Sequence, residues 1–453
     1  MSSFRLSYEE ALKFLDRYID YEKLPDYRYT QAAFRLDRMT ELLCLLGDPQ
    51  KDFKSVHIAG TKGKGSTATM IAALLENHGF RTGLYTSPHI VSIRERVRIG
   101  SEMIGCADFA RAVSAMRSKI ERVEKLMIPV TYFEILTALA FLEFSRKKVQ
   151  IASVEVGIGG RLDATNVITP EVCCITNISY DHMDKLGNTL TQIATEKCGI
   201  IKPKIPIISA PQKTEALRVI RRFSREKNVP LFLVGQDIQI GKSKTLAETR
   251  CRKYPAPRTL PDYLRYCAHA WEDAAVALGA LEILAEKVGF DIDPRACQEA
   301  FANLKIEGRF EVKRGEPTLI LDGAHNAASA RSLAKSLRVF ARENRLRERE
   351  FIFLISMAKD KDISGFLREV VPVAKEIIFT TSPNPRCADP RQLKRTMSRI
   401  SPVSSDSEPD ISCAFERAKE NAGKSGVLVV TGSFYLLGEI TKAISYRLEE
   451  RMN

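Results

Sequence analysis

Residues 55–70 read SVHIAGTKGKGSTATM: an apolar run, then Gly60, Gly63 and Gly65 among lysines and hydroxyls, then a pattern at helical spacing. No other stretch limits the fold so strongly. A short buried strand passing through a glycine turn into a helix is the opening unit of an α/β sheet. Ile71, Leu74, Leu75 and His78 continue the helical spacing, and Gly79 suits the position just past a helix end. In the loop itself, glycines let backbone N–H groups approach phosphate oxygens, and the helix N-terminus adds a positive partial charge. Lys64 is placed to reach the terminal phosphates and Ser66 to ligate Mg²⁺. The strict Walker spacing asks for glycine at 58, where Ile58 stands, and Gly65 separates the lysine from the hydroxyl. The competing reading is a flexible basic turn; the strand–loop–helix context favours phosphate.

The same theme of strand, turn and helix recurs along the chain. QIASVEVGIGG, EVCCITNI, PTLILDGAHN, EFIFLISM, EIIFTT and GVLVVTGSFYLLGEI all read as short buried strands beside helical patterns. This alternation predicts mostly parallel sheets with ligands at the carboxyl ends of the strands. SPVSSDSEPD reads as a polar loop. A boundary is expected near residues 303–312, dividing the chain into 1–305 and 306–453.

At 453 residues and 44% apolar composition the chain can bury two cores. The formal charge of +13 favours anionic partners, but lysines and arginines are interleaved with acids almost throughout. Nucleotides and polycarboxylates therefore fit better than nucleic acid, which is not expected as a partner. The basic stretches RVIRRFSREK and SRKKVQ read as solvated helix ends. Cys173 and Cys174 are neighbours in an apolar strand and point to opposite faces, as small buried residues rather than metal ligands or a disulfide. A reducing cytoplasm is the expected compartment. The N-terminal stretch has acids at helical spacing, unlike a secretory signal, and no run of 18 apolar residues predicts a membrane span.

Three further stretches carry candidate chemistry. VEVGIGGRLDATN puts Glu155 in an apolar strand, where a carboxylate needs either an ion-pair partner or a bound cation; Arg161 and Asp163 stand at the edge of the following glycine loop. The run NISYDHMDKLGNTLTQIATEKCGI offers Asp181, His182 and Asp184 after another strand. His182 alone reads as an ordinary polar histidine; with Glu155 and Ser66 it would complete an oxygen-rich Mg²⁺ site. Lys197, in a helix ending at Gly199, reads on its own as a surface lysine. In LILDGAHNAASA, Asp322 either holds a ribose hydroxyl or caps the next helix, a role Asn326 could equally take.

Together these residues resemble the folylpolyglutamate synthase and dihydrofolate synthase family, a branch of the Mur ligases. The family's glycine loop is typically GTNGKGS, here GTKGKGS. The blocks TSPHIVSIRERVRI, TYFEILTALAFLEF, EVGIGGRLDATN, DHMDKLGNTLTQIATEKCGIIK, GRFEV, LDGAHN, MAKDKDI and VTGSFYLLGE follow in the family's order across nearly the whole chain. The resemblance implies an N-terminal P-loop ATPase domain and a C-terminal Rossmann-like domain that close on substrates. It also implies a reaction: ATP phosphorylates the carboxylate of a folate or dihydropteroate, and the amine of L-glutamate displaces phosphate from the acyl phosphate. Phosphoryl transfer needs in-line positioning and charge neutralisation, which suits Lys64 and Mg²⁺.

Carried over by position, the resemblance implies that Gly60, Thr61, Gly63, Lys64, Gly65, Ser66 and Thr67 hold ATP. Arg309 and Asp322 are implied as further nucleotide contacts. Ser66, Ser87, Glu155 and His182 are implied metal ligands, and Lys197 matches a lysine that the family can carry as a carbamate (N6-carboxylysine). His325 matches an active-site histidine near the phosphates and the incoming amino acid, with Ser433 a candidate for holding glutamate. Phe133 and Asp163, with the TSPH loop, lie where the pterin-bearing substrate would bind. A monomer is the family expectation. Lys62 departs from the usual asparagine, Asp273 stands where an asparagine near the adenine is usual, and Cys198 replaces an alanine beside Lys197. Two other readings compete: a Mur-type ligase acting on a different carboxylate, and a nucleotide-binding regulatory protein. The TSPH, FEILTALAF and LDATN blocks favour the folate branch over the first, and the intact metal set speaks against the second.

Overall fold

The computed structural model describes residues 5–24, 34–126, 129–238, 260–347 and 349–452. They fall into two compact units. The first holds the described parts of 1–89, 94–259 and 270–304; the second holds 90–93, the described part of 260–269, and the described residues from 305 onward.

In the first unit the chain runs through β1 (Lys54–Ala59), β2 (Thr82–Tyr85), β3 (Val97–Ile99), β4 (Glu102–Met103), β5 (Ile151–Glu155), β6 (Val172–Ile175), β7 (Ile207–Ser209) and β8 (Leu231–Leu233). They form one sheet in the order β4-β3-β2-β5-β1-β6-β7-β8. All neighbours are parallel except at the β2–β3–β4 edge. β5 and β6 are buried at every position and β1 at every position after Lys54, as expected of parallel strands covered on both faces. Helix Lys64–Asn77 packs on the sheet and against helices Ala270–Val288 and Pro294–Ala302.

The order places β1 between β5 and β6, with Ile58 opposite Glu155 and Ala59 opposite Ile175. The loops after all three strands therefore leave the same carboxyl edge, where strand order reverses and a crevice for ligands opens. Cys173 and Cys174 lie on β6, both fully buried.

The second unit contains β9 (Glu311–Lys313), β10 (Thr318–Asp322), β11 (Phe351–Ile355), β12 (Ala374–Phe379), β13 (Ser404–Ser407) and β14 (Val427–Thr431) in the order β13-β12-β11-β14-β10-β9. Only β9 runs antiparallel. Asp322 at the end of β10 is opposite Thr431 at the end of β14, so the turns that follow these strands lie side by side. Both units thus match the expected α/β class.

The stretch expected to be a polar loop, SPVSSDSEPD, contains β13. Among the described residues it pairs with β12 alone, at the sheet edge, and its side chains are exposed or half-buried on incompletely covered faces, where apolar residues are not needed. Lys394 and Arg417 hold its Asp406 at 2.8 and 2.5 Å. Among the described residues, no helix is long and apolar enough to cross a membrane.

Candidate active site

The glycine loop is built by close approach. Gly63 caps helix Lys64–Asn77 with φ of 84°, and a Cβ there would overlap the carboxylate of Asp273, which is 4% exposed. A side chain on Gly60 would overlap Thr176 at the end of β6. Thr61 N and Lys62 N both donate to Asn177 O, at 2.9 and 3.2 Å. Thr61 Oγ1 donates to Ser179 O at 3.1 Å and accepts from Ser179 N at the same distance. The loop is thereby fastened to the segment after β6. Thr67 is fully buried, and its Oγ1 has no hydrogen-bond partner among the described protein atoms.

Across this loop stands Glu155, at the end of β5 and 4% exposed. Its Oε2 accepts from Ser87 N at 2.9 Å, and Lys64 Nζ lies 4.0 Å from Oε1. A Cβ on Gly65 would sit 3.2 Å from Oε2, so the missing side chain leaves room for the carboxylate. Lys64, Gly65, Ser87 and Glu155 are thus brought together. His182 lies half-buried at the start of the short helix Met183–Leu186, with φ of 48°.

The reading of Lys197 as a surface lysine does not hold: it is 5% exposed. Leu190, Ile193, Ala194, Lys197 and Cys198 form the buried face of helix Leu190–Cys198, and their spacing is visible in the sequence. Lys197 Nζ donates to Gly60 O at 2.7 Å, so this amine lies behind the glycine loop. Burial and the nearby Lys64 lower its pKa to about 7, against the opposing pull of Asp181 and Asp163.

Asp163 is also buried, and its oxygens accept from Ile158 N and Thr165 N at 3.0 Å and from Thr165 Oγ1 at 2.5 Å. Burial pushes its carboxyl pKa up. His57 Nε2 meets Thr165 Oγ1 at 2.8 Å, and burial holds its imidazole well below the ordinary histidine range. Because the Thr165 hydroxyl donates to Asp163, His57 is the donor to that hydroxyl. This ordered chain fixes the loop between β5 and β6. Phe133 closes the same loop from above: a Cβ on Gly157 would meet its ring at 2.5 Å, and Tyr85 packs on it at 6.0 Å between centroids.

Sequence reasoning did not single out Arg96, His57 or Thr165. Arg96 is fully buried, donates from Nε to His89 Nδ1 at 2.9 Å, and grips Glu22 with both terminal nitrogens. Nothing in RERVR distinguishes this arginine from the half-buried Arg94 and Arg98, because the carboxylate it grips, Glu22, is remote in sequence.

The second unit carries Arg309, Asp322, His325 and Ser433. Asp322 is not the helix cap: Asn326 caps helix Ala327–Glu343 through Ser329 N at 2.9 Å. Asp322 instead accepts from Phe310 N and Ala324 N, both at 2.9 Å. His325 Nδ1 faces Gly323 O at 2.8 Å. A carbonyl only accepts, so Nδ1 carries a proton, and in the neutral form of the ring the lone pair is on Nε2. Ser433 is 8% exposed, following Gly432, whose φ is 94°. Arg309 lies over the ring of Phe434 at 4.8 Å.

Comparison with known proteins decides what this assembly belongs to. Residues 58–253 match the family model of the Mur ligase middle domain, and residues 304–443 that of the dihydrofolate synthetase C-terminal domain. Dihydrofolate synthase/folylpolyglutamate synthase of Bacillus subtilis is 32% identical over 90% of this chain and 94% of its own length. The chain belongs to the folylpolyglutamate synthase/dihydrofolate synthase family. A probable dihydrofolate synthetase of Schizosaccharomyces pombe is 31% identical over 89% of this chain and 97% of its own. Among solved structures, folylpolyglutamate synthase of Mycobacterium tuberculosis complexed with ADP superposes with a TM-score of 0.83 at 28% identity, covering 96% of this chain and 98% of that one. Escherichia coli FolC in complex with DHPP and ADP gives 0.81 at 26%, covering 98% of each. The resemblance read from the motifs is borne out, and the chain is an ATP-dependent ligase of the folate–glutamate class.

Proposed function

We propose that the loop Gly60–Thr67, with Asp273 beneath it, holds the triphosphate of ATP for phosphorylation of a folate or dihydropteroate carboxylate. Lys64 neutralises the transferred phosphoryl group from the head of its helix. The substrate's carboxylate oxygen attacks the γ-phosphorus and ADP departs, leaving an acyl phosphate. The amine of L-glutamate then attacks the acyl carbon, phosphate departs, and an amide forms. His325, with its lone pair on Nε2, accepts the proton that the amine loses, and Ser433 orients the incoming glutamate. Arg309 and Asp322 hold the nucleotide. Phe133 and the loop organised by Asp163 receive the pterin-bearing substrate.

The donors suit Mg²⁺. Glu155 is a buried carboxylate at the carboxyl end of its strand, with Oε1 4.0 Å from Lys64 Nζ beside the glycine loop, a hard oxygen donor of the kind Mg²⁺ prefers. Ser66, Ser87, Glu155 and His182 would hold the ion, whose chemistry is to neutralise charge on the phosphate oxygens. Lys197 as a carbamate would add a further anion there while its remaining N–H still donated to Gly60 O. A monomer in the cytoplasm completes the proposal; burial pushes the Cys173 thiol up to about 12, which keeps it unreactive.

The observation that carries this function is the buried Glu155 carboxylate set against Gly65 of a phosphate-type loop. Its test is MgATP-dependent incorporation of labelled glutamate, with dihydropteroate and tetrahydrofolate offered separately. Incorporation with dihydropteroate identifies the biosynthetic step, with tetrahydrofolate the extension of the glutamate tail, and with both a bifunctional enzyme. ATP binding without incorporation into either substrate would contradict the proposed substrates.

A further inference from the structure

We propose that Phe434 is a positioning residue for the nucleotide, its ring forming a shelf that orients Arg309 and braces His325. The proposal rests on the reading of Arg309 as a nucleotide contact. Phe434 is the first residue of helix Phe434–Met452 and follows Ser433 directly. The Arg309 guanidinium carbon lies 4.8 Å from its ring centroid, well within cation–π range. The His325 ring packs against it at 6.3 Å with a 57° tilt. Below the ring lies Gly323, where any Cβ would overlap the ring carbons, so only glycine lets Phe434 occupy this position.

Three segments therefore meet on one side chain: the turns 306–310 and 323–326 at the two chain ends of the β9–β10 hairpin, and the start of helix Phe434–Met452, more than a hundred residues on. Backbone bonds make them one body. Gly323 N donates to Gly308 O, and Gly432 N to Ala324 O, both at 2.9 Å. Phe310 N donates to Asp322 at 2.9 Å. A guanidinium stacked on a fixed ring has fewer rotamers to lose when an anion binds, so its contact with a nucleotide costs less ordering. Ordinary packing does not require the aromatic face. Phe434 also packs against the cluster around Leu436, Leu437 and Ile440, a role leucine would fill.

The test measures steady-state KM for MgATP and for the folate substrate, kcat and Tm in Phe434→Leu, Phe434→Tyr, Arg309→Met and the Phe434→Leu/Arg309→Met double variant. Phe434→Met serves if the leucine variant folds poorly. Phe434→Leu is expected to raise KM for MgATP roughly threefold to fivefold, the worth of a partly exposed cation–π contact. KM for the folate substrate and Tm stay unchanged, and Phe434→Tyr behaves as the parent. In the Arg309→Met background Phe434→Leu adds nothing further. If Arg309→Met raises KM for MgATP but Phe434→Leu does not, the shelf is overturned and the reading of Arg309 stands. If Arg309→Met leaves that KM unchanged, the reading of Arg309 fails and the proposal fails with it. A parallel fall of every parameter with Tm would make Phe434 a packing residue and also overturn the proposal.

Discussion

A buried amine beside a second cation gives up its proton readily, and Lys197 is held in that state, 5% exposed with Lys64 nearby. With a pKa lowered to about 7, half the amine is neutral near pH 7. A neutral amine adds CO₂ to give R–NH–COO⁻ and a proton; a protonated one cannot. Enzyme equilibrated with ¹³C-bicarbonate at pH 8 is expected to show a carbamate carbon resonance that fades as pH falls below about 7 and is missing in Lys197→Met. A parent spectrum without that resonance would contradict the carbamate. The unmodified lysine also leaves a stability signature of definite sign. Its folded pKa of about 7 lies below the unfolded value of about 10.4, so between these limits the unfolded chain binds the extra proton. Its contribution to stability therefore rises with pH across that window, and Lys197→Met removes this dependence.

At the scale of elements, the loop between β5 and β6 shows how closely backbone passes backbone at the site. A Cβ on Gly160 would come within 2.9 Å of the carbonyl oxygens of both Glu196 and Lys197, and neither is the end of a flexible side chain. Gly160→Ala is expected to lower stability by about 1–3 kcal/mol, the cost of overpacking, and to move Lys197 relative to Gly60. A thermal or denaturant midpoint equal to that of the parent would contradict this. How much of the site was legible follows from such contacts. The glycine loop, its helix and the buried strands repeat over short range, so periodicity and turn chemistry reveal them directly. The burial of Lys197 was also written in the sequence, at the i+3 and i+4 spacing from Ala194 and Ile193. β13 escaped because an edge strand of serines and an aspartate has no apolar signature. The partnership of Arg96 with Glu22, the hydrogen-bond chain from His57 to Asp163 and the meeting of Arg309 with Phe434 join residues far apart in the chain. Local pattern carries no trace of such pairings.

For the whole molecule, one family extends over both units: its Mur ligase middle-domain part covers residues 58–253 and its dihydrofolate synthetase C-terminal part residues 304–443. The net charge of +13 suits a set of substrates that are all anions: nucleotide, folate and glutamate. In the proposed reaction the substrate carboxylate is phosphorylated before glutamate attacks it, and the fate of the carboxylate oxygens tests this directly. With both oxygens of the reacting carboxylate labelled with ¹⁸O, each turnover with MgATP and L-glutamate is expected to deliver one ¹⁸O atom to inorganic phosphate and to keep the other in the amide. Phosphate released without label would contradict the acyl phosphate and the mechanism built upon it.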